Sequence, residues 1–304
     1  MASVLLTRRI PSSVLRLLEA EHAVDLHADD GVLAREELLG RVADKDALIC
    51  LLTDRIDREL FEAAPALKVV ANIAVGYDNI DVAAARERGV VVTNTPDVLT
   101  QAVAEFTWAL ILGVARRVAE ADRLVRAGGW KGWGLDFMLG TELRGKQLGI
   151  IGAGRIGRAV AAKAPAFGMR AVFAKHDMSM DELLVSSDVI SIHTPGTKET
   201  RHLINRKTLI RMKRSVLLVN TARGTIVDEE ALAWALDERL IAGAALDVYE
   251  REPTVHPALL KHENVLLAPH IASATRETRT AMAELAVKNV LAVLAGDPPL
   301  TPVS

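Results

Sequence analysis

The stretch Leu148-Gly149-Ile150-Ile151-Gly152-Ala153-Gly154-Arg155-Ile156-Gly157 decides the fold. A short apolar strand runs into three glycines at G-x-G-x-x-G spacing, and residues 158–164 continue with helical periodicity. Each glycine has a physical task. Gly152 allows a tight turn, Gly154 lets a pyrophosphate approach the backbone, and Gly157 lets the helix pack closely on the strand. The helix N-terminus adds free N–H groups and the positive end of its dipole, which attract phosphate charge. Strand, loop and helix in that order predict a dinucleotide site.

Outward from this stretch the chain repeats the same alternation. Apolar, β-rich runs at 147–151, 170–174, 189–193, 216–220, 243–247 and 265–267 are separated by helical segments. The first 94 residues do likewise, with strands predicted at 4–7, 23–26, 47–52, 69–73 and 90–93. Helices are predicted there at 14–19, 58–64 and 82–88, the last two opened by Asp57 and Asp81 as N-caps. This alternation implies right-handed crossovers and parallel sheets covered by helices. The expected fold is α/β, with two Rossmann or flavodoxin-like domains and the active site in the cleft between them. Residues 1–95 with 270–304 form the expected substrate domain, and 96–269 the dinucleotide-binding domain. Only 14 residues, Lys175 to Asp188, separate the second strand of the latter from the next. One short helix at 181–186 fits there and a further strand does not, so the usual third strand at the sheet edge is expected to be missing.

Residues 101–116 carry one charge before their end, Glu105, and spread Phe106, Trp108, Leu110 and Ile111 around the helix. A helix apolar on nearly all sides must be buried, between domains or between subunits. The arm at 130–140 carries Trp130 and Trp133, which need cover that so short a segment cannot supply. Together these features predict a homodimer. A final helix predicted at 277–294 is stopped by Gly296-Asp297-Pro298-Pro299.

Half of the 304 residues are hydrophobic and a quarter are charged, the balance of a globular chain. Lys and Arg total 37 against 39 Asp and Glu, a net charge of −2, which gives no footprint for nucleic acid or an anionic membrane. The longest strongly apolar run, 106–115, is about half a membrane span. Arg16, Glu19 and Glu21 interrupt any signal-like region after Arg8-Arg9. A soluble, cytoplasmic protein is expected. The single cysteine, Cys50, excludes an intramolecular disulfide and a cysteine-based metal cluster, and no metal site is predicted.

The strand at 170–174 should end beside the adenosine ribose, where an acidic residue selects NAD by bonding the 2′-hydroxyl. Lys175-His176 stands there, followed by Asp177. Lys175 with His176 would attract a 2′-phosphate, so NADP is favoured. Asp177 turning back to the ribose would select NAD instead, and a merely solvated Lys175 would leave the choice open.

Three later strands end in residues that packing does not require. Asn220-Thr221-Ala222-Arg223-Gly224 sets an arginine past one, and Asp247-Val248-Tyr249-Glu250-Arg251-Glu252-Pro253 sets carboxylates past the next. Ala268-Pro269-His270-Ile271-Ala272 sets a histidine past the last. Ligands of open parallel sheets lie at the carboxyl ends of the strands. A histidine donates a proton near neutral pH, and a carboxylate on its other nitrogen favours the charged ring and fixes it. An arginine fork holds a substrate carboxylate and polarises the neighbouring carbonyl. The set suits reduction of a 2-keto acid. Spacing alone does not choose between Glu250 and Glu252 as the histidine's partner.

Together with Ala74-Val75-Gly76-Tyr77-Asp78-Asn79, these motifs stand in the order found in the D-isomer-specific 2-hydroxyacid dehydrogenases. The chain resembles that family over nearly its whole length, and its glyoxylate/hydroxypyruvate reductases in particular. The resemblance implies Arg223, Glu252 and His270 as the catalytic set, with Glu252 as the histidine's partner. It implies that backbone N–H groups at Val75 and Gly76 hold the substrate carboxylate, and that Phe137 reaches substrate across a dimer interface. It assigns cofactor contacts to Thr100, Arg155, Ile156, Thr194, Pro195, Thr200, Thr221, Ala222, Asp247 and His270, with Asp247 accepting from the nicotinamide carboxamide. The implied reaction is reduction of glyoxylate or hydroxypyruvate by NADPH or NADH to the D-2-hydroxy acid.

The scaffold also hosts D-lactate and D-3-phosphoglycerate dehydrogenases, the latter often with a regulatory domain that nothing after Leu294 is expected to form. It hosts dinucleotide-sensing corepressors too, which a turnover assay separates from an enzyme. Val75 stands where phosphite dehydrogenases would carry lysine, and Glu252 where formate dehydrogenases would carry glutamine. Ala272 replaces a glycine common among relatives. His22, His27, His202, His256 and His262 lie in polar sequence and are expected to be solvated. His193 ends a buried strand and is expected to be structural or near the cofactor.

Overall fold

A computed structural model describes residues Met1–Val303, and the chain divides into two compact units. One comprises Met1–Leu99 and the segment from Ala274 onward, the other Thr100–Ser273.

The first unit alternates β1 (Ser3–Leu6), α1 (Ser12–Glu19), β2 (Ala23–Leu26), α2 (Arg35–Val42), β3 (Ala47–Cys50), α3 (Arg58–Ala63), β4 (Val69–Asn72), α4 (Val82–Glu87) and β5 (Val91–Thr93). The strands pair in parallel in the order β2-β1-β3-β4-β5. β3 and β4 are buried along their whole length, as strands of a sheet covered on both faces must be. Asp57 and Asp81 cap α3 and α4 by accepting from the N–H groups of Leu60 and Ala84. The sequence does not announce α2. Its N-cap is Ala34, which has no side-chain acceptor, and Gly40 sits inside it.

The second unit opens with α5 (Thr100–Ala115) and α6 (Val118–Arg126). It continues through β6 (Gln147–Ile151), α7 (Arg155–Lys163), β7 (Arg170–Phe173), α8 (Met180–Ser186), β8 (Val189–Ile192), α9 (Arg206–Ile210), β9 (Leu217–Asn220), α10 (Glu229–Asp237), β10 (Gly243–Leu246) and β11 (Val265–Leu267). Its six parallel strands run β11-β10-β9-β8-β6-β7. The chain leaves β6 for β7 on one side and returns to β8 on the other, so the strand order reverses at β6, where open α/β sheets bind ligands. β7 is the outermost strand on its side. The short gap after it holds only α8, closed by a capping box between Ser179 and Glu182.

α5 corrects one expectation. Its apolar faces are covered inside its own unit, by α7 and by β9, β10 and β11. Trp108 stacks on Phe167 with ring centroids 4.3 Å apart, and its indole N–H donates to the Val160 carbonyl at 3.0 Å. A subunit interface is not needed to bury this helix. The arm is different: Trp133 is 85% exposed and Leu135 78%.

The chain closes with α11 (Arg276–Ala295), which packs on β3, β4 and α1 of the first unit. Thr275 caps its start and Gly296, at φ 88°, ends it. Among the described residues no helix is long and apolar enough to cross a membrane.

Candidate active site

Across the second unit's sheet, from β7 to β11, the carboxyl ends carry residues 175–177, 152–157, 193–195, 221–224, 247–252 and 268–272. Gly152 has φ 113°, and a Cβ there would lie 2.4 Å from the His193 carbonyl oxygen. A Cβ on Gly157 would lie 2.1 Å from the Gly152 carbonyl oxygen. Neither position has room for a side chain. Gly154, the N-cap of α7, has open space where a Cβ would be, and no side chain caps the helix. The uncapped N-terminus of α7 therefore opens at the surface, beside Arg155 and Ile156, and this cradle fits the pyrophosphate of a dinucleotide.

At the end of β7, Lys175 takes a left-handed conformation (φ 62°) and its N–H donates to the Met178 carbonyl at 2.8 Å. This tight turn brings Asp177 back onto its own strand. Its carboxylate accepts from the Phe173 N–H at 2.8 Å and meets His176 Nδ1 at 2.8 Å. The bond from His176, with that from Phe173, holds Asp177 below the usual carboxylate range. Asp177 is engaged within its own turn but stays exposed, as Lys175 and His176 do, so all three polar groups that bear on the choice of dinucleotide stand at the surface.

The three catalytic candidates follow β9, β10 and β11. His270 Nδ1 lies 2.8 Å from Glu252 Oε2, and Glu252 Oε1 accepts from the Tyr249 N–H at 3.0 Å. Burial alone would raise the Glu252 pKa. The hydrogen bond and charge of His270, the Tyr249 N–H and the charge of Arg223 outweigh it and hold the carboxyl below its ordinary value. Glu250 is turned elsewhere: its carboxylate pairs with His202 Nε2 and its N–H donates to Glu229 Oε1 at 2.8 Å. The fold thereby separates two glutamates that spacing could not.

His270 itself sits at φ 55°, an uncommon conformation for a residue with a side chain, and its N–H donates to the Asp247 carbonyl at 2.8 Å. Asp247 holds the rest of that loop, accepting from the N–H groups of Ile271 and Ala272 at 2.8 Å each. It is completely buried, which raises its pKa. Its carboxylate is engaged by the loop that carries His270, one N–H bond on each oxygen. Tyr249, which the sequence analysis did not single out, ties β10 to β11 by donating its hydroxyl to the Ala268 carbonyl at 2.8 Å. Burial pushes its pKa up to about 12, so it stays a donor.

Arg223 leaves β9 on a turn built by buried Asn220, whose amide donates to the Arg223 carbonyl at 2.8 Å and accepts from the Ala222 N–H at 3.0 Å. The Arg223 guanidinium donates back to the Ala222 carbonyl at 2.8 Å. Thr221 Oγ1 meets Thr107 Oγ1 of α5 at 3.0 Å. Thr200 Oγ1 donates to the Pro195 carbonyl at 2.7 Å and fixes the loop containing Thr194 and Pro195. Thr100 opens α5, while Phe137 is half exposed on the arm. Val75 and Gly76 follow β4 in the first unit.

His193 bonds Ser191 Oγ at 2.8 Å, and withdrawal from water lowers its pKa to about 3, so it is neutral. The five histidines expected in solvent are all half-buried. His202 pairs with Glu250, His262 lies 3.5 Å from Asp237, and His22 accepts from the Ala2 N–H at 3.4 Å.

A dinucleotide cradle beside a histidine–carboxylate pair and an arginine describes an oxidoreductase, and comparison with known proteins says which. Residues 108–272 match the profile of D-isomer specific 2-hydroxyacid dehydrogenase, NAD binding domain, and the chain belongs to this family of NAD(P)-dependent enzymes. Among its relatives, the glyoxylate reductase of Thermofilum pendens is 50% identical, over 97% of this chain and 92% of that one. The solved structure of a Thermus thermophilus protein matches with a TM-score of 0.94 at 47% identity, covering 99% of this chain and 100% of the other. The NADPH-dependent glyoxylate/hydroxypyruvate reductase of Sinorhizobium meliloti, solved with NADP and malonate, matches at 0.87 and 34%, covering 100% and 97%.

Proposed function

We propose that this enzyme reduces glyoxylate, and the related hydroxypyruvate, to the D-2-hydroxy acid, with NADPH preferred over NADH. The observation that carries the reading is the 2.8 Å bond between His270 Nδ1 and Glu252 Oε2, in a chain whose relatives are named glyoxylate reductases. A bound nicotinamide supplies the hydride for the carbonyl carbon. Ionised Glu252 accepts from Nδ1–H and fixes the imidazole, which leaves Nε2 to give its proton to the oxygen of that carbonyl. Arg223 takes the substrate carboxylate in its fork and polarises the carbonyl beside it. In the first unit, the backbone at Val75 and Gly76 is the proposed anchor for a substrate carboxylate. The first unit is read as the substrate domain and the second as the dinucleotide domain, with Gly152, Gly154, Gly157 and the start of α7 on the pyrophosphate and Lys175 with His176 on the 2′-phosphate.

The exposed apolar arm supports a homodimer, since a second copy would cover Trp133 and Leu135 and bring Phe137 toward the partner's substrate. A cytoplasmic location fits a lone cysteine that is buried and kept protonated. Initial rates of NADPH and NADH oxidation with glyoxylate, hydroxypyruvate and pyruvate test the proposal. NADPH with glyoxylate or hydroxypyruvate should turn over fastest, and His270→Ala should lower kcat by roughly 10²–10⁴. Absence of turnover with both keto acids would overturn the reading.

A further inference from the structure

Two asparagines of the first unit control a stretch of backbone that neither touches through its own main chain. Asn94, just past β5, donates its side-chain amide to the Val75 carbonyl at 2.7 Å. Asn72, at the end of β4, donates to the Gly76 carbonyl at 2.9 Å. Both are held firmly. Asn72 is completely buried, accepts from the Cys50 thiol at 3.5 Å, and also donates to Asn79 Oδ1 at 3.2 Å. Burial pushes the Cys50 thiol well up, so it remains a donor and fixes which amide atom of Asn72 is the oxygen. Asn79 in turn donates to the carbonyls of Leu51 and Asp54 at 3.1 and 3.0 Å. The Asn94 main chain is pinned to Thr301, whose hydroxyl donates to its carbonyl at 2.6 Å.

The carbonyl and N–H of a trans peptide point in opposite directions. Peptides 75–76 and 76–77 are both trans. Asn94 therefore turns the Gly76 N–H away from itself, and Asn72 turns the Tyr77 N–H away from itself. Among the described residues nothing accepts from the N–H groups of Val75, Gly76 or Tyr77. Gly76 is half-buried and Tyr77 exposed, so the row is open to a small anion. Free backbone N–H groups are the donors with which a main chain holds an anion.

We infer that Asn94 and Asn72 are the positioning residues of the substrate carboxylate site: they hold the 75–76 and 76–77 peptide planes so that their N–H groups face the anion. The inference rests on the keto-acid reductase reading above. Neither asparagine touches substrate, and neither enters the hydride or proton transfer. Their loss should therefore appear in carboxylate affinity and spare the chemical step.

Asn94→Asp is nearly isosteric but puts an acceptor against the Val75 carbonyl, which drives the 75–76 peptide to turn over and present an oxygen to the anion. Asn94→Ser replaces the amide donor with a shorter hydroxyl, without adding charge. For each variant and the wild type, kcat and KM for glyoxylate would be measured, with the Kd of NADPH from fluorescence titration. The Kd of oxalate would be measured on the NADPH-loaded enzyme. In Asn94→Asp, KM and the oxalate Kd should rise about tenfold or more, as loss of an oriented donor to a charged group implies. Asn94→Ser should move both in the same direction by less, with kcat within threefold and the NADPH Kd unchanged in each. A KM and oxalate Kd within twofold of wild type would overturn the inference. So would a parallel fall in kcat, NADPH affinity and thermal midpoint, which would mark a merely structural role. A wild type that neither reduces glyoxylate nor binds oxalate would remove the reading beneath the inference, and the inference with it.

Discussion

Gly224→Ala offers the sharpest test of how the catalytic groups are held. A Cβ on Gly224 would lie 1.8 Å from the Tyr249 carbonyl carbon, 2.0 Å from its oxygen and 2.4 Å from the Glu250 nitrogen. Non-bonded carbons rest near 3.5 Å, so the two backbones would have to part by about 1.5 Å. Neither gives way easily. The Tyr249 side is tied to the Ala268 carbonyl at 2.8 Å, to Glu229 at 2.8 Å through the Glu250 N–H, and to His270 through Glu252. The Arg223 side is tied to Asn220 at 2.8 Å. Gly224 does not have a positive φ, so the obstacle is steric and not a matter of backbone conformation. Separation of Arg223 from Glu252 and His270 by an ångström or more costs on the order of 10²-fold in rate, and the overpacking roughly 1–3 kcal/mol in stability. The assay is kcat/KM for glyoxylate beside an NADPH titration and a thermal melt. The expected result is at least a roughly 100-fold loss of kcat/KM. The NADPH Kd should change less than kcat/KM, because the glycine cradle hangs from β6, two strands away from β9. Activity within threefold of wild type and an unshifted melt would refute the reasoning.

Two further outcomes follow from the charges. Glu252 has a depressed pKa in the folded chain, so its carboxylate stabilises the fold above its ordinary value of 4.5, and this contribution is lost as pH falls through the folded value. Glu252→Gln should therefore melt below wild type near neutral pH, with the gap closing on acidification; a gap that stays constant down to pH 3 would count against the assignment. Lys175→Glu should weaken NADPH binding about tenfold or more while leaving NADH nearly unaffected, since it removes a cation that only the 2′-phosphate needs. Equal effects on the two dinucleotides, measured by titration, would place the 2′-phosphate elsewhere.

What the sequence reveals about this site follows the distance over which each feature is decided. The Gly152 loop is legible because its turn, its apolar strand and its helix are all local, and the strands follow their apolar runs to within a residue or two. α2 is not legible, because Ala34 supplies no capping side chain and Gly40 interrupts the helical pattern. The histidine's partner is undecided in sequence because the choice is made by His202 and Glu229, which arrive from other loops and take up Glu250. The setting of Asp177 is likewise not local to its own residue type: its bond to the Phe173 N–H depends on Lys175 closing back on Met178. The same holds for the asparagines. Asn72 and Asn94 are ordinary polar residues at strand ends, and what they do depends on carbonyls brought to them by the sheet. Chemistry that resides in a side chain, as at His270 and Arg223, can be recognised from the chain. Chemistry that resides in the orientation of a peptide bond, as at Val75–Gly76, becomes visible only when the groups that orient it are in place.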